Sequence, residues 1–251
     1  MPADALSPEL LAYSSGRNTT QPPHLGTRYL RAGGFLPEPG NTIVCHVSKG
    51  SPTLEGLVEA REKFLAMPEA RHFVFTPITS LHMTLFQGVI EYRRKPGFWP
   101  DGLALDASIE ELTEIMAARL ETLPVLEPFQ VEVTHARPSG LLVDGARERD
   151  RRAMRQWRDV LADLLGYRHP DHDDYPFHIT FAYAIDWLDD DALPRWQEML
   201  GEVAGDIRRK MPILELDPPA FCSFEDMNHF CELLVLGGLG RKLRRWEALG
   251  S

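Results

Sequence analysis

Hydrophobic and polar positions along the chain alternate between two periods, near two and near 3.6, and the changeovers predict the elements. Residues 42–47 are β-branched and apolar, which predicts a buried strand. Ser51 before Pro52 reads as a helix start, and Leu54, Leu57, Val58, Phe64 and Leu65 form its apolar stripe until Pro68 ends it. Strands are predicted at 71–76 and 81–88. Ser108 and Glu111 make a capping box for a helix with Ile109, Leu112, Met116 and Leu120 on one side. The second half repeats this grammar. Strands at 129–134 and 141–143 precede a helix over 144–165, whose stripe is Met154, Trp157, Leu161, Leu164 and Leu165, with Gly166 as its C-cap. A helix over 189–210, strands at 213–216, 220–224 and 231–236, and a closing helix over 241–249 complete the reading.

One strand pattern occurs twice. Leu81-His82-Met83-Thr84-Leu85 returns as Phe177-His178-Ile179-Thr180-Phe181. On a strand, residues i and i+2 share a face. Each copy therefore offers an imidazole and a hydroxyl on one side and three apolar residues on the other. The context repeats as well: Val44 lies 38 residues before His82, and Val143 lies 35 before His178. Matched order and spacing predict an internal duplication. The expected fold is α+β and bilobal, with duplicated lobes about a pseudo-twofold, antiparallel-rich sheets flanked by helices, and a cleft between them. Residues 1–40, rich in Pro, Gly and polar residues, are read as a loosely held arm and loop. Residues 41–251 form the single bilobal domain, its lobes centred on 41–125 and 126–237.

Composition narrows the partners. The 251 residues carry a formal net charge of −10, which argues against a general nucleic-acid or membrane-surface coat. Cys45, Cys222 and Cys231 form no CxxC pair and read as small buried hydrophobes of a reducing compartment. With no secretory leader pattern and no apolar run long enough to span a bilayer, a cytoplasmic monomer is expected.

Two imidazoles facing one cleft can divide proton transfer, one taking a proton while the other gives one. Two hydroxyls can hold the non-bridging oxygens of a phosphate. This suits in-line displacement at phosphorus with no metal or cofactor, and predicts a bell-shaped pH profile. Phe86 falls on the His82 face by alternation, as a base-stacking platform or a packed rim residue. His46 shares a face with Thr42 and Val44, as a substrate contact or a core histidine. Arg93, in the Arg93-Arg94-Lys95 trio, is either a phosphate attractor or a solvated surface residue.

The paired motifs resemble those of the 2H phosphoesterase superfamily, named for two His-x-Thr/Ser motifs on a bilobal fold. Its branches include RNA 2′,3′-cyclic phosphodiesterases, RNA-ligase-like bacterial proteins, plant cyclic nucleotide phosphodiesterases and 2′-5′ oligoadenylate phosphodiesterases. The resemblance spans roughly 41–237, and the stretch 39–46 looks like a bacterial branch of unassigned substrate. It implies that His82 and His178 are the acid and base, in either assignment, and that Thr84 and Thr180 hold phosphate. The implied substrate is a 2′,3′-cyclic phosphate or a related nucleotide or RNA-end phosphoester. Two other readings stay open. The acidic loop with His169, Asp171, His172, Asp173 and Asp174 could hold a catalytic metal. The cleft could instead bind a nucleotide or RNA-end phosphate without turnover.

Overall fold

A computed structural model describes residues 6–237. The closing helix expected over 241–249 lies outside the described residues.

A short helix, α1 (Pro8–Leu11), comes first, followed by strand β1 (Gly40–His46) and helix α2 (Pro52–Leu65). Ser51 caps α2 as its residue type predicts, its hydroxyl accepting from the Leu54 amide at 3.1 Å. β2 (Phe73–Phe75), β3 (His82–Ile90) and α3 (Ile109–Leu120) follow. Ser108 caps α3 through the Glu111 amide at 3.0 Å. The second half contains β4 (Val131–Arg137), β5 (Gly140–Gly145), α4 (Glu148–Leu165), β6 (His178–Thr180), β7 (Ala182–Ala184), α5 (Leu193–Lys210), β8 (Ala220–Phe224) and β9 (Cys231–Val235). Gly166 ends α4 in the left-handed region, at φ 79°, where a side chain would be strained.

Seven strands join edge to edge in one sheet of order β4-β5-β6-β3-β1-β8-β9, with every neighbouring pair antiparallel. β2 and β7 form a separate antiparallel pair. The two motif strands, β3 and β6, are therefore adjacent near the middle of the sheet. Helices α2 to α5 pack on one face. Leu57, Phe64, Met116, Met154, Leu161 and Trp196 meet Leu81, Met83, Leu85, Ile179 and Phe181 there in the main core. The other face carries the polar motif positions and a smaller cluster around Val44, Cys222, Phe224 and Phe230.

The structure corrects the sequence reading in several places. The strand expected at 213–216 reduces to two isolated bridges, Leu214 to Val131 and Leu216 to Val47. The helix expected from 144 starts at Glu148, because residues 144–145 extend β5. The N-terminal segment is held more firmly than its composition suggested. Leu10 and Tyr29 are buried, Ser14 bridges Leu188, and the Ser14 hydroxyl donates to Asp190 at 2.6 Å. A few well-placed apolar anchors and one buried hydroxyl are enough to dock a segment that is otherwise polar. Cys231 is exposed on the last strand, unlike buried Cys45 and Cys222.

Gly140 permits the close contact between β5 and β6. Its φ is 140°, and a Cβ there would lie 2.2 Å from the Ile179 carbonyl oxygen and 2.9 Å from the Phe181 nitrogen. Gly140→Ala should therefore push apart the strand that carries His178 and Thr180. The expected loss is about 2–3 kcal/mol of stability, together with reduced activity. A denaturant midpoint equal to that of the wild type would contradict this account.

Candidate active site

The site follows from one register. Met83 and Ile179 face each other across the β3–β6 pair, both fully buried against the helices. Antiparallel pairing then sets His82 beside Thr180 and Thr84 beside His178, all on the opposite face. The four side chains occupy the corners of a quadrilateral, with the histidines at one diagonal and the threonines at the other. Cross-strand diagonals of this kind span roughly 7–8 Å between Cα atoms. A tetrahedral group centred among them has an imidazole on either side and a hydroxyl on each of the other two.

The two rings are held in the same way. His82 Nδ1 lies 2.6 Å from the Ser80 carbonyl oxygen, and His178 Nδ1 lies 2.7 Å from that of Pro176. A carbonyl only accepts, so Nδ1 carries the proton in both rings and Nε2 is the basic nitrogen of the neutral imidazole. The carbonyl two residues upstream of each His thus selects the tautomer. Burial pushes His82 down to about 4, opposed by the Ser80 carbonyl and reinforced by the fields of His46 and His178. Burial also pushes His178 down to about 4, reinforced by Arg137 and opposed by the Pro176 carbonyl.

His46 pairs in register with His82, their ring centroids 6.2 Å apart, while its Nε2 sits 3.8 Å from Glu232 and 3.7 Å from the Cys222 sulfur. It therefore borders the quadrilateral. Phe86 does not. A register shift between Ile43 and Val44 interrupts the alternation of β3, so Leu85 and Phe86 are both buried. The Phe86 ring, at 2% exposure, packs on Tyr167 and His172 and has no face open to a base. Arg93 follows the end of β3 remote from His82. It lies over the Phe98 ring at 4.9 Å, under the fields of Arg28, Tyr167 and Asp171, and the structure does not bring it to the histidine pair.

The acidic loop does not gather its five donors. His169 is buried against Phe98 and Tyr167. His172 and Asp173 converge instead with Asp159 of α4, where these ligand atoms lie within 4.8 Å of one another. The Arg168 guanidinium already sits there, 2.9 Å from Asp159 and 3.5 Å from Asp173.

Residues outside the motifs also reach the site. The Phe230 ring lies 4.2 Å from that of His82. The Tyr175 ring lies 5.8 Å from that of His178, and its phenol sits beside the Thr84 side chain, which acts on it electrostatically. Burial pushes the Tyr175 phenol up to about 12, so it stays protonated and neutral. Pattern reading missed both residues. Tyr175 did leave a faint signal, an aromatic three positions before His178.

The family model named 2H-phosphodiest, described as a domain of unknown function (DUF1868), matches residues 28–142. A solved structure, the conserved protein of unknown function ATU0111 from Agrobacterium tumefaciens str. C58, is 48% identical over 92% of this chain and 100% of that chain, with a TM-score of 0.91. The match over residues 28–142 places the protein in the 2H phosphoesterase superfamily. Membership in this superfamily supports a phosphodiesterase-type hydrolase in general terms. The family match includes His82 and Thr84 and stops before His178 and Thr180. No curated protein matches the chain. Among the described residues no helix is long and apolar enough to cross a membrane.

Proposed function

We propose that the protein is a metal-independent phosphodiesterase that opens a 2′,3′-cyclic phosphate, or a related nucleotide or RNA-end phosphoester, by paired-histidine acid–base catalysis. The observation that carries this reading is the diagonal placement of His82 and His178 on adjacent strands, each with Nδ1 tied to a carbonyl and Nε2 left as the working nitrogen.

In this reading the phosphate lies over the quadrilateral and the Thr84 and Thr180 hydroxyls donate to its non-bridging oxygens. The neutral histidine takes a proton from water as the water oxygen bonds to phosphorus. The bond from phosphorus to one ribose oxygen breaks on the opposite side, and the protonated histidine on that side delivers its proton to the leaving oxygen. Nucleophile and leaving group enter and leave along the histidine diagonal, as in-line displacement requires. The product is a phosphomonoester with a free neighbouring hydroxyl, and the two histidines have exchanged protonation states.

A panel of 2′,3′-cyclic nucleotides and RNA ends bearing a cyclic phosphate, assayed in excess chelator, tests the proposal. Turnover that chelator does not reduce is expected. Failure to hydrolyse any panel member, or turnover abolished by chelator and restored by a divalent metal, would remove the metal-independent reading.

A further inference from the structure

One charge in the interior stands without a counter-charge. Arg158 sits on the inner side of α4, four residues after Met154 and three before Leu161, in a buried stripe that is apolar apart from it and Asp150 in the first turn. It is 3% exposed. Its Nη1 donates to the Leu85 carbonyl at 2.7 Å, and its Nη2 and Nε donate to the His172 carbonyl at 3.0 and 3.3 Å. The guanidinium carbon lies 4.6 Å from the Tyr175 ring centre, 5.7 Å from that of Phe177 and 5.8 Å from that of Phe86. Asp171 and Asp159 act on it only through space, and among the described residues it forms no ion pair. Buried Glu38 and Glu69, by contrast, are each paired with an arginine.

A guanidinium is always charged, and burying a charge without a partner is costly. If Arg158 only tied the Leu85 carbonyl to the 168–174 loop, a neutral donor would do the same work without that cost. The charge becomes useful when an anion arrives. Tyr175 is the link to where the anion would sit. Its ring lies on the guanidinium, its phenol sits beside Thr84 and its ring is tilted against that of His178 at 5.8 Å.

We propose that Arg158 is the standing counter-charge of the phosphate bound over Thr84 and His178, and that it acts through Tyr175, which it holds against Thr84. This rests on the phosphoesterase reading of the site. Arg158 is a positioning residue, since it meets backbone carbonyls and aromatic rings and not the reacting atoms. Before any substrate binds, the fold carries a fixed positive charge behind Tyr175, on the edge of the quadrilateral formed by Thr84 and His178. Field and geometry are thus set in advance and need no reorganisation during the reaction.

The test uses the full chain as wild type, Arg158→Met, Arg158→Lys and Tyr175→Phe. Two measurements are made with inorganic phosphate, the Kd by calorimetry and the phosphate-induced rise in Tm. KM and kcat on the hydrolysed substrate accompany them. The Kd for phosphate should rise about tenfold or more in Arg158→Met and severalfold in Tyr175→Phe, while Arg158→Lys, which keeps the charge, stays nearer the wild type. A purely structural role predicts the opposite split, a lower Tm of the free protein with the Kd unchanged. Should Arg158→Met not fold, Arg158→Lys and Tyr175→Phe still report, because the readout is a ligand-dependent difference. Wild-type Kd in the folded Met variant, or in Tyr175→Phe where the Met variant does not fold, overturns the inference. If the wild type itself neither binds phosphate nor cleaves a phosphodiester, the reading of the whole site falls and this inference falls with it. Binding and turnover in the wild type with unaffected variants defeat the Arg158 proposal alone.

Discussion

His82→Ala and His178→Ala should each lower kcat on the cleaved phosphodiester by about 10³-fold, within the range a positioned general acid or base contributes. Neither side chain contributes to the helix-covered core, which Met83 and Ile179 fill from the opposite side of the same strands. Tm should therefore change little, and circular dichroism and a thermal scan separate lost chemistry from lost fold. The double variant should be scarcely slower than either single one, because an acid without its base leaves the same residual rate from phosphate binding alone. Thr84→Val and Thr180→Val should act mainly on charge development, lowering kcat by one to two orders of magnitude. Full activity in either alanine variant would mean that the diagonal is not the reaction axis.

How this arrangement was legible beforehand depends on which forces act locally. The His-x-Thr faces could be read because alternation on a strand is a local rule, and because Leu81, Met83 and Leu85 in one copy and Phe177, Ile179 and Phe181 in the other assign the opposite side to the core. The caps at Ser51 and Ser108 were equally local. The same rule failed at Phe86, where a shift in register against β1 turns two successive side chains inward. Nothing in the composition of β3 marks that irregularity, which answers to the pairing of β1 with its neighbours. Residues 213–216 show the complementary limit. They have strand chemistry but find only single bridging partners, at Val131 and Val47. Tyr175 and Phe230 reach the site from the segment before β6 and from the segment before β9, with Arg158 of α4 packed behind Tyr175. Tertiary packing brings them together, and Arg158 was hidden in a stripe that otherwise reads as core. The N-terminal segment was misjudged because average composition conceals single anchors such as Leu10 and Tyr29.

Activity against pH should separate the free protein from its complex. Burial holds both His82 and His178 at about 4 in the free state. The competent form carries one proton on the pair. Above about pH 4 that proton is lost from the free protein, so kcat/KM should fall up to tenfold per unit as pH rises. At more acid pH a second proton blocks the base and the profile turns down, giving a bell that belongs to the coupled pair and not to either ring. A bound phosphoester is an anion beside both imidazoles, and an opposite charge favours the protonated ring. The pKa values of the complex therefore rise, and the kcat profile should lie at higher pH than that of kcat/KM. Rates measured from about pH 3 to 8 on one substrate, with stability checked at the acid end, give both curves. A kcat/KM that stays flat between pH 5 and 8 would mean that no imidazole proton is in play, however well the two rings are placed.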